Sequence, residues 1–402
     1  MRPSEPIVAG SRSYYTLAIM LGALAGMGPL AIDMYLPSFP TIARELGSTA
    51  SSMEATSAAY FTGLALGQSI YGPLSDRVGR LRPLYAGLAL FIIASIGCAM
   101  ATSVPQLIGL RIVQALGGCA EMVVARAMVR DYFDPRDSMR VLSLLILVMG
   151  VAPILAPLLG GQILVTLGWR AVFIVLASYA VLCVIASRIV LQESLPTERR
   201  RQDSAAQVLA VYGRLLANRT FMAQVVCGGL VIAGMFAYIS GSPFVFITLF
   251  GIPPDRYGLF FGTNALGLIT ASQINGRLAA WMTPAQIVAR VVPVTAAAAL
   301  ILLFNTVTGT GGFIGILVPL FFCVASVGFV VPNTMVMAMA PQGAIAGTAS
   351  ALLGTIQFAL GAAAGAAVST FNNGTAVPLG AVIATCGVGA FIAFRLIPAE
   401  HA

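Results

Sequence analysis

The chain contains no lysine. All 22 of its basic residues are arginine, against 14 acidic residues, giving a net charge of +8. A phosphate-cradling P-loop needs a lysine after its second glycine, so a nucleotide-driven pump of that type is excluded. Histidine is nearly absent too, with only His401 on the C-terminal tail. Proton chemistry inside the chain therefore falls to carboxylates. Charge of either sign is scarce, at 9% of 402 residues, where soluble domains carry roughly 25%. Such a chain cannot present a water-facing surface of ordinary size. The basic excess fits membrane topology, described below, and nucleic acid is not expected as a partner. Cys98, Cys119, Cys183, Cys227, Cys323 and Cys386 all lie in apolar runs without close pairs. They read as small core residues rather than disulfides or ligands, and no metal or cofactor is expected.

What is present is apolar, 58% of the residues. The runs last roughly 20 residues, the length of a helix that crosses a bilayer. A β-barrel would instead show alternating segments of about ten. About twelve spans are expected, roughly at 14–36, 52–74, 83–102, 105–127, 139–165, 168–191, 220–246, 257–279, 285–305, 312–334, 344–370 and 376–396. The first follows Arg2 and Arg12 as a signal peptide would. Its length, about 23 residues, reads instead as an uncleaved span. The one long polar connection, 192–219, lies at the midpoint. The expected fold is an all-α integral membrane protein of two pseudo-symmetric six-helix bundles, 1–191 and 220–402, joined by a cytoplasmic linker.

An internal offset of 204 residues supports the duplication. It aligns GLALGQSIYGPL (63–74) with GLITASQINGRL (267–278), and also Gly150 with Gly354 and Gly161 with Gly365. Inverted or parallel repeats are common in transporters. With both termini in the cytoplasm, only Arg44, Arg170 and Arg256 fall in outer loops and Arg111 within a span. The remaining arginines lie at or near cytoplasmic ends, as the positive-inside rule requires.

Four stretches carry the candidate chemistry. The first, GPLSDRVGRLRPL (72–84), sets Asp76 among Arg77, Arg80 and Arg82, with Gly72 and Gly79 permitting close approach and a tight turn. A short topogenic loop explains the arginines but not the aspartate. The second is span four, where Arg111, Gln114 and Glu121 project within about 80° of one another. A charge in hydrocarbon must be paired or face water. Glu121, about 15 Å further along, reads either as a second proton site or as a structural partner of Arg126, the latter favoured. The third, MGVAPILAPLLGG (149–161), places Pro153 and Pro157 among Gly150, Gly160 and Gly161, inviting kinks and close helix contact. The fourth is AIDMYLPSFP (31–40). It holds Asp33 near the outer end of span one, four residues before Pro37. Depth counting puts Asp33 level with Arg111 and suggests a pair.

These stretches resemble the major facilitator superfamily. GPLSDRVGR is similar to its signature loop Gly-x-Leu-x-Asp-Arg-x-Gly-Arg, which latches the inward side through charge pairs. The resemblance implies that Arg80 or Arg77 pairs with Asp131. RIVQALG resembles the superfamily's Arg-x-x-Gln-Gly motif, tied to proton coupling, with Ala115 in place of the last glycine. APLLGG resembles the Gly-Pro-x-x-Gly-Gly motif of its drug–proton exchangers, with Ala156 in place of the first glycine. DMYLPSFP, YISGSPFVFI (238–247) and GTASALLGTIQF (347–358) resemble the bicyclomycin/chloramphenicol-resistance (Bcr/CflA) subfamily of drug:H⁺ antiporters. The implied function is proton-coupled efflux of small amphiphilic drugs across the bacterial inner membrane. The proton gradient would be the energy source, and the protein would act as a monomer without catalytic residues. Asp33, Arg111 and Glu121 are the proton-coupling candidates. At the midplane between the halves, Tyr35, Tyr60, Gln68, Gln114, Tyr238, Asn264 and Gln357 are the candidate substrate contacts. A metabolite or sugar transporter of the same fold, and a non-transporting membrane sensor, are the alternatives.

Overall fold

The computed structural model describes residues 12–200 and 205–397. Among the described residues the chain is helical and has no strand. The helices are α1 (Arg12–Asp33), α2 (Phe39–Glu45), α3 (Ala50–Val78), α4 (Leu81–Met100), α5 (Val104–Tyr132), α6 (Pro135–Leu167), α7 (Trp169–Val190), α8 (Ala205–Ala217), α9 (Arg219–Pro243), α10 (Pro254–Leu278), α11 (Pro284–Thr308), α12 (Gly312–Met339), α13 (Ala346–Thr370) and α14 (Val377–Arg395). All but α2 and α8 are long enough to cross a bilayer. A helix satisfies its own backbone in hydrocarbon, where water cannot. Side chains close several starts: Thr49 accepts from the Ser52 N–H, Asp134 from Asp137, and Asn218 from Phe221.

Ten of the helical segments are also apolar enough to span, and α3 and α10 are the long helices left out. The reason is their position. Helix α3 lies between α5 and α13, and α10 between α6 and α12. Buried polar residues, Glu54, Thr56, Ser57, Gln68 and Ser75 on α3, Asn264 and Asn275 on α10, face protein rather than lipid and lower the mean.

Within the first half, α4 packs on α5 and α7, α1 on α5 and α6, and α3 on α5. Within the second, α11 packs on α12 and α14, and α9 on α12, α13 and α14. Two helix pairs form the main seams between the halves: α3 with α13, and α6 with α10. The glycines found at the 204-residue offset lie at equivalent places. Gly150 and Gly161 of α6 face Ile269 and the Pro254 carbonyl of α10. Gly354 and Gly365 of α13 face Gln68 and Ala58 of α3. Likewise Gly63 meets α5 at Ile112, and Gly267 meets α12 at Phe321. The repeat thus sets matched close contacts, which in lipid depend on small residues that let backbones approach.

The connection after α7 is less uniformly polar than the sequence suggests. Its second part forms α8, which turns Val208, Val211, Tyr212 and Leu215 toward the bundle, the i, i+3, i+4, i+7 stripe of an amphipathic helix. Leu215, Val211 and Tyr212 pack with Phe221, Val225, Leu352 and Leu353. Leu209 and Leu216 remain exposed on another flank.

The packing separates the glycines by consequence. A Cβ on Gly117 would lie 2.5 Å from the Phe91 backbone nitrogen, whereas Gly276 has open space. Gly117→Ala is expected to cost about 1–3 kcal/mol through overpacking and to lower the thermal midpoint in detergent. Gly276→Ala should leave the midpoint unchanged or slightly raised, since alanine favours a helix.

Candidate functional site

The site starts where α1 stops. Asp33 is its last residue, and the residue four ahead, Pro37, has no N–H to give to the Asp33 carbonyl. The helix end leaves backbone carbonyls without intrahelical donors. Arg111 of α5 fills one of these vacancies. Its Nη1 donates to the Ala31 carbonyl at 3.1 Å and to Gln114 Oε1 at 2.6 Å. Gln114 Nε2 in turn donates to Ser95 Oγ at 2.8 Å, and Ser95 donates to the Phe91 carbonyl. The guanidinium lies between the rings of Tyr35 and Tyr60, at 4.3 and 4.1 Å from their centroids, with Phe173 at 6.0 Å. Cation–π contact in a desolvated slot contributes about 2 kcal/mol or more. Tyr35 is held by a hydrogen bond with Thr56 and by ring contacts with Phe39 and Phe173.

This corrects the pairing inferred from depth. No ion pair joins Asp33 to Arg111 among the described residues; a carbonyl, an amide and two aromatic faces meet the cation instead. Asp33 is 2% exposed and its Oδ1 has no hydrogen-bond partner. Glu121 is fully buried, and neither carboxylate oxygen has a partner. The Arg126 pairing favoured from sequence is not formed: five residues apart, Glu121 lies on a buried face of α5 and Arg126 on an exposed one, and Arg126 Nε donates to the Met122 carbonyl at 3.1 Å.

The candidate substrate contacts fall into separate groups. Tyr35, Tyr60 and Gln114 surround Arg111, and the Tyr60 hydroxyl is unpartnered. In the second half Asn264 Nδ2 donates to the Tyr238 hydroxyl at 3.0 Å, and Asn264 Oδ1 is left open. Tyr238 stacks on Phe261, and Tyr257, hydrogen-bonded to Ser242, lies beside them. Gln68 sits at the α3/α13 seam against Gly354, and Gln357 beside Gly229. Ser95, Thr56, Phe173 and Tyr257 are additions that no motif marked, and Ser242 lies in the YISGSPFVFI stretch without having been singled out.

The span-five glycines bind this region together. A Cβ on Gly160 would fall 1.7 Å from the Met34 carbonyl oxygen, immediately after Asp33. One on Gly161 would fall 2.7 Å from the Pro254 oxygen at the start of α10. Helix α6, with Pro153 and Pro157 inside it, therefore touches the broken end of α1 and the second half at adjacent residues.

At the other end of α3, Arg80 is the hub of the signature loop. Its Nη1 donates to Asp76 Oδ1 at 2.6 Å and to Ser75 Oγ, and its Nε to Asp131 Oδ2 at 2.8 Å. Its own N–H and that of Leu81 donate to Glu193. Burial disfavours the charge, but the Asp131 and Asp76 contacts outweigh it and raise the Arg80 pKa above its ordinary value. Arg77, the other partner considered for Asp131, is exposed and makes no ion pair among the described residues. Gly79 adopts φ +100°, open to glycine alone at this turn, with Glu193 where a Cβ would stand. Gly72 and Asp76 border a cleft shared with Gly347 and Thr348 of the second half and Val208 of α8.

Sequence reasoning missed Glu54, 1% exposed in the second turn of α3. Both its oxygens accept from Asn372 Nδ2, at 2.9 and 3.0 Å, across the seam between the halves. Ser51 and Ser369 bond reciprocally beside it. A carboxylate inside the expected span 52–74 was the available signal.

The comparisons agree with this architecture. The model of the Major Facilitator Superfamily matches residues 19–366. An uncharacterized MFS-type transporter, YdgK, of Bacillus subtilis (strain 168) is 37% identical over 380 residues, 94% of each chain. A bicyclomycin resistance protein homolog of Haemophilus influenzae (strain ATCC 51907 / DSM 11121 / KW20 / Rd) is 27% identical over 97% of this chain and 98% of its own. The crystal structure of a D-xylose-proton symporter superposes with a TM-score of 0.76 at 16% identity, covering 96% of this chain and 98% of that one. The chain belongs to the Major Facilitator Superfamily and is a multi-pass membrane transporter.

Proposed function

We propose that this transporter exports small amphiphilic drugs in exchange for protons, by alternating access, across the bacterial inner membrane. The carrying observation is that two buried carboxylates, Asp33 and, further along α5, Glu121, make no ion pair among the described residues, while Arg111 spends its Nη1 on a carbonyl and an amide and keeps its buried Nε without a partner. Keeping such a carboxylate ionised costs several kcal/mol, and protonation removes that cost. A substrate that brings a hydrogen-bond donor or positive charge into the site does the same. Proton and drug then compete for one vacancy, which is the requirement for exchange. In this reading the drug enters as the proton leaves toward the cytoplasm, and an outside proton expels it after the halves have rocked.

Open polar atoms on both halves, the Tyr60 hydroxyl and Asn264 Oδ1, together with the stacked rings around Tyr238, suit a ligand with an apolar body and few polar groups. The bicyclomycin-resistance relative supports a drug of modest size. The orientation follows from the arginines: both termini, the linker at 192–219 and the Arg80 network face the cytoplasm, with bundles at 1–191 and 220–402. The protein acts as a monomer, needs no cofactor, and draws its energy from the proton gradient.

Two outcomes are expected. Asp33→Asn should retain drug binding but lose drug movement driven by a pH gradient in everted vesicles; full gradient-driven transport by that variant would sink the proposal. Arg80→Ala leaves Asp131 and Asp76 without their cation, and breaking a buried pair costs about 3–5 kcal/mol, less where the partner is half-exposed. Its thermal midpoint and transport should both fall, while Arg77→Ala should stay within about 0.5 kcal/mol of wild type, as detergent melting curves will show.

A further inference from the structure

We infer that Glu54 is a further proton-binding site, separate from Asp33, that latches the two halves together at the end opposite the Arg80 network. Glu54 belongs to the first half and Asn372 to the second, just after α13 ends. The amide orientation is fixed by its other contact: Asn372 Oδ1 accepts from the Gly374 N–H at 3.1 Å, which turns Nδ2 toward Glu54. One amide nitrogen therefore serves both carboxylate oxygens.

Among the described residues no ion pair reaches Glu54. Helix α5, packed along α3, brings Arg111, which is taken up by the Ala31 carbonyl, Gln114 and the Tyr35 and Tyr60 rings, and its other titratable groups begin at Cys119. Helix α4 brings Arg82, Tyr85 and Cys98. Helix α13 and the following 371–376 carry no ionisable residue. On α9, which also contacts α3, the one arginine, Arg219, is at its first residue, and the other titratable groups are Cys227 and Tyr238. Helix α2, packed on α3, brings Arg44 and Glu45, both exposed. Glu45 is occupied by Trp169 Nε1 at 2.8 Å and Arg170 Nη1 at 2.9 Å. Arg44 makes no ion pair with Glu54. On α3 itself the next acidic or basic residue is Asp76, six turns away.

The consequence follows from solvation. In the closed seam the carboxyl group is 1% exposed and has one neutral donor, so the uncharged acid is the favoured form. Opening the seam admits water, where the ionised form is stable. Closure is then linked to proton uptake and opening to proton release. Acid on that side of the membrane holds the seam shut; alkali releases it. The latch acts on the position of the halves and does not depend on which residue carries the transported proton.

Spin labels at Ser48 and Asn373, placed on either side of the seam in the full-length protein in lipid, report its width. Between about pH 5 and 9, the range in which a buried carboxylate titrates, the wild-type distance should pass from short to long. Glu54→Gln should stay short throughout, and Asp33→Asn should keep the wild-type response. Asn372→Ala removes the amide's bond to Glu54 in the closed seam. The closed seam loses that bond while the open one loses nothing, so the transition should move down by about one pH unit, a tenfold shift of the equilibrium toward the open seam. A wild-type distance indifferent to pH, a Glu54→Gln variant that still opens, or an Asn372→Ala midpoint that does not move would each overturn the latch. Loss of the response in Asp33→Asn with retention in Glu54→Gln would assign it to the other carboxylate.

Discussion

A guanidinium buried in hydrocarbon calls for partners, and Arg111 makes that demand of the first half of this transporter, with its buried Nε left unmet. Its partners are drawn from separate elements. A helix end supplies a carbonyl at Ala31, α5 itself supplies Gln114, and Ser95 of α4 orients that amide. Tyr35 and Tyr60 close the faces of the cation. For Ala31 to offer its carbonyl, α1 must stop at this depth, and Pro37 makes it stop. The same break sets Asp33 at the helix end without a cation of its own. One buried charge thus draws the helix end, the aromatic slot and the Gln114–Ser95 pair into one site.

The seams between the halves follow a second constraint. Lipid supplies no hydrophobic force to press helices together, so contact depends on fit. Glycines at matched places on α6 and α13 provide that fit. Gly160 rests on the Met34 carbonyl and Gly161 on Pro254, so a shift at the end of α1 is felt directly at the start of α10. Packed contacts of this kind resist continuous deformation, which suits two discrete positions of the halves better than a gradual one.

The sequence made the helices, the central arginine and the signature loop legible, because each rests on a local rule: run length, the cost of charge in lipid, and a turn only glycine adopts. Pairings were less legible. Depth counting brought Asp33 level with Arg111 but could not show that a carbonyl would take the guanidinium first. For Arg126 the i, i+5 spacing from Glu121 put the two side chains on different faces of α5, one exposed and one buried. Glu54 escaped notice because it stands near the polar start of α3, where an apolar window and a loop meet. Helix α8 was hidden in a stretch that is polar on average, although Val208, Val211, Tyr212 and Leu215 already carried helical spacing.

By itself the sequence determined that this chain crosses a membrane many times, that its halves are duplicated, and that no histidine lies within a span. Those conclusions need only composition, period and the absence of alternatives. Tertiary structure alone decided which carboxylates stand unpaired, which arginine of the loop holds Asp131, and that Glu54 faces an amide of the other half. Such outcomes depend on competition among several donors and acceptors brought together from distant parts of the chain, and linear spacing does not rank the competitors.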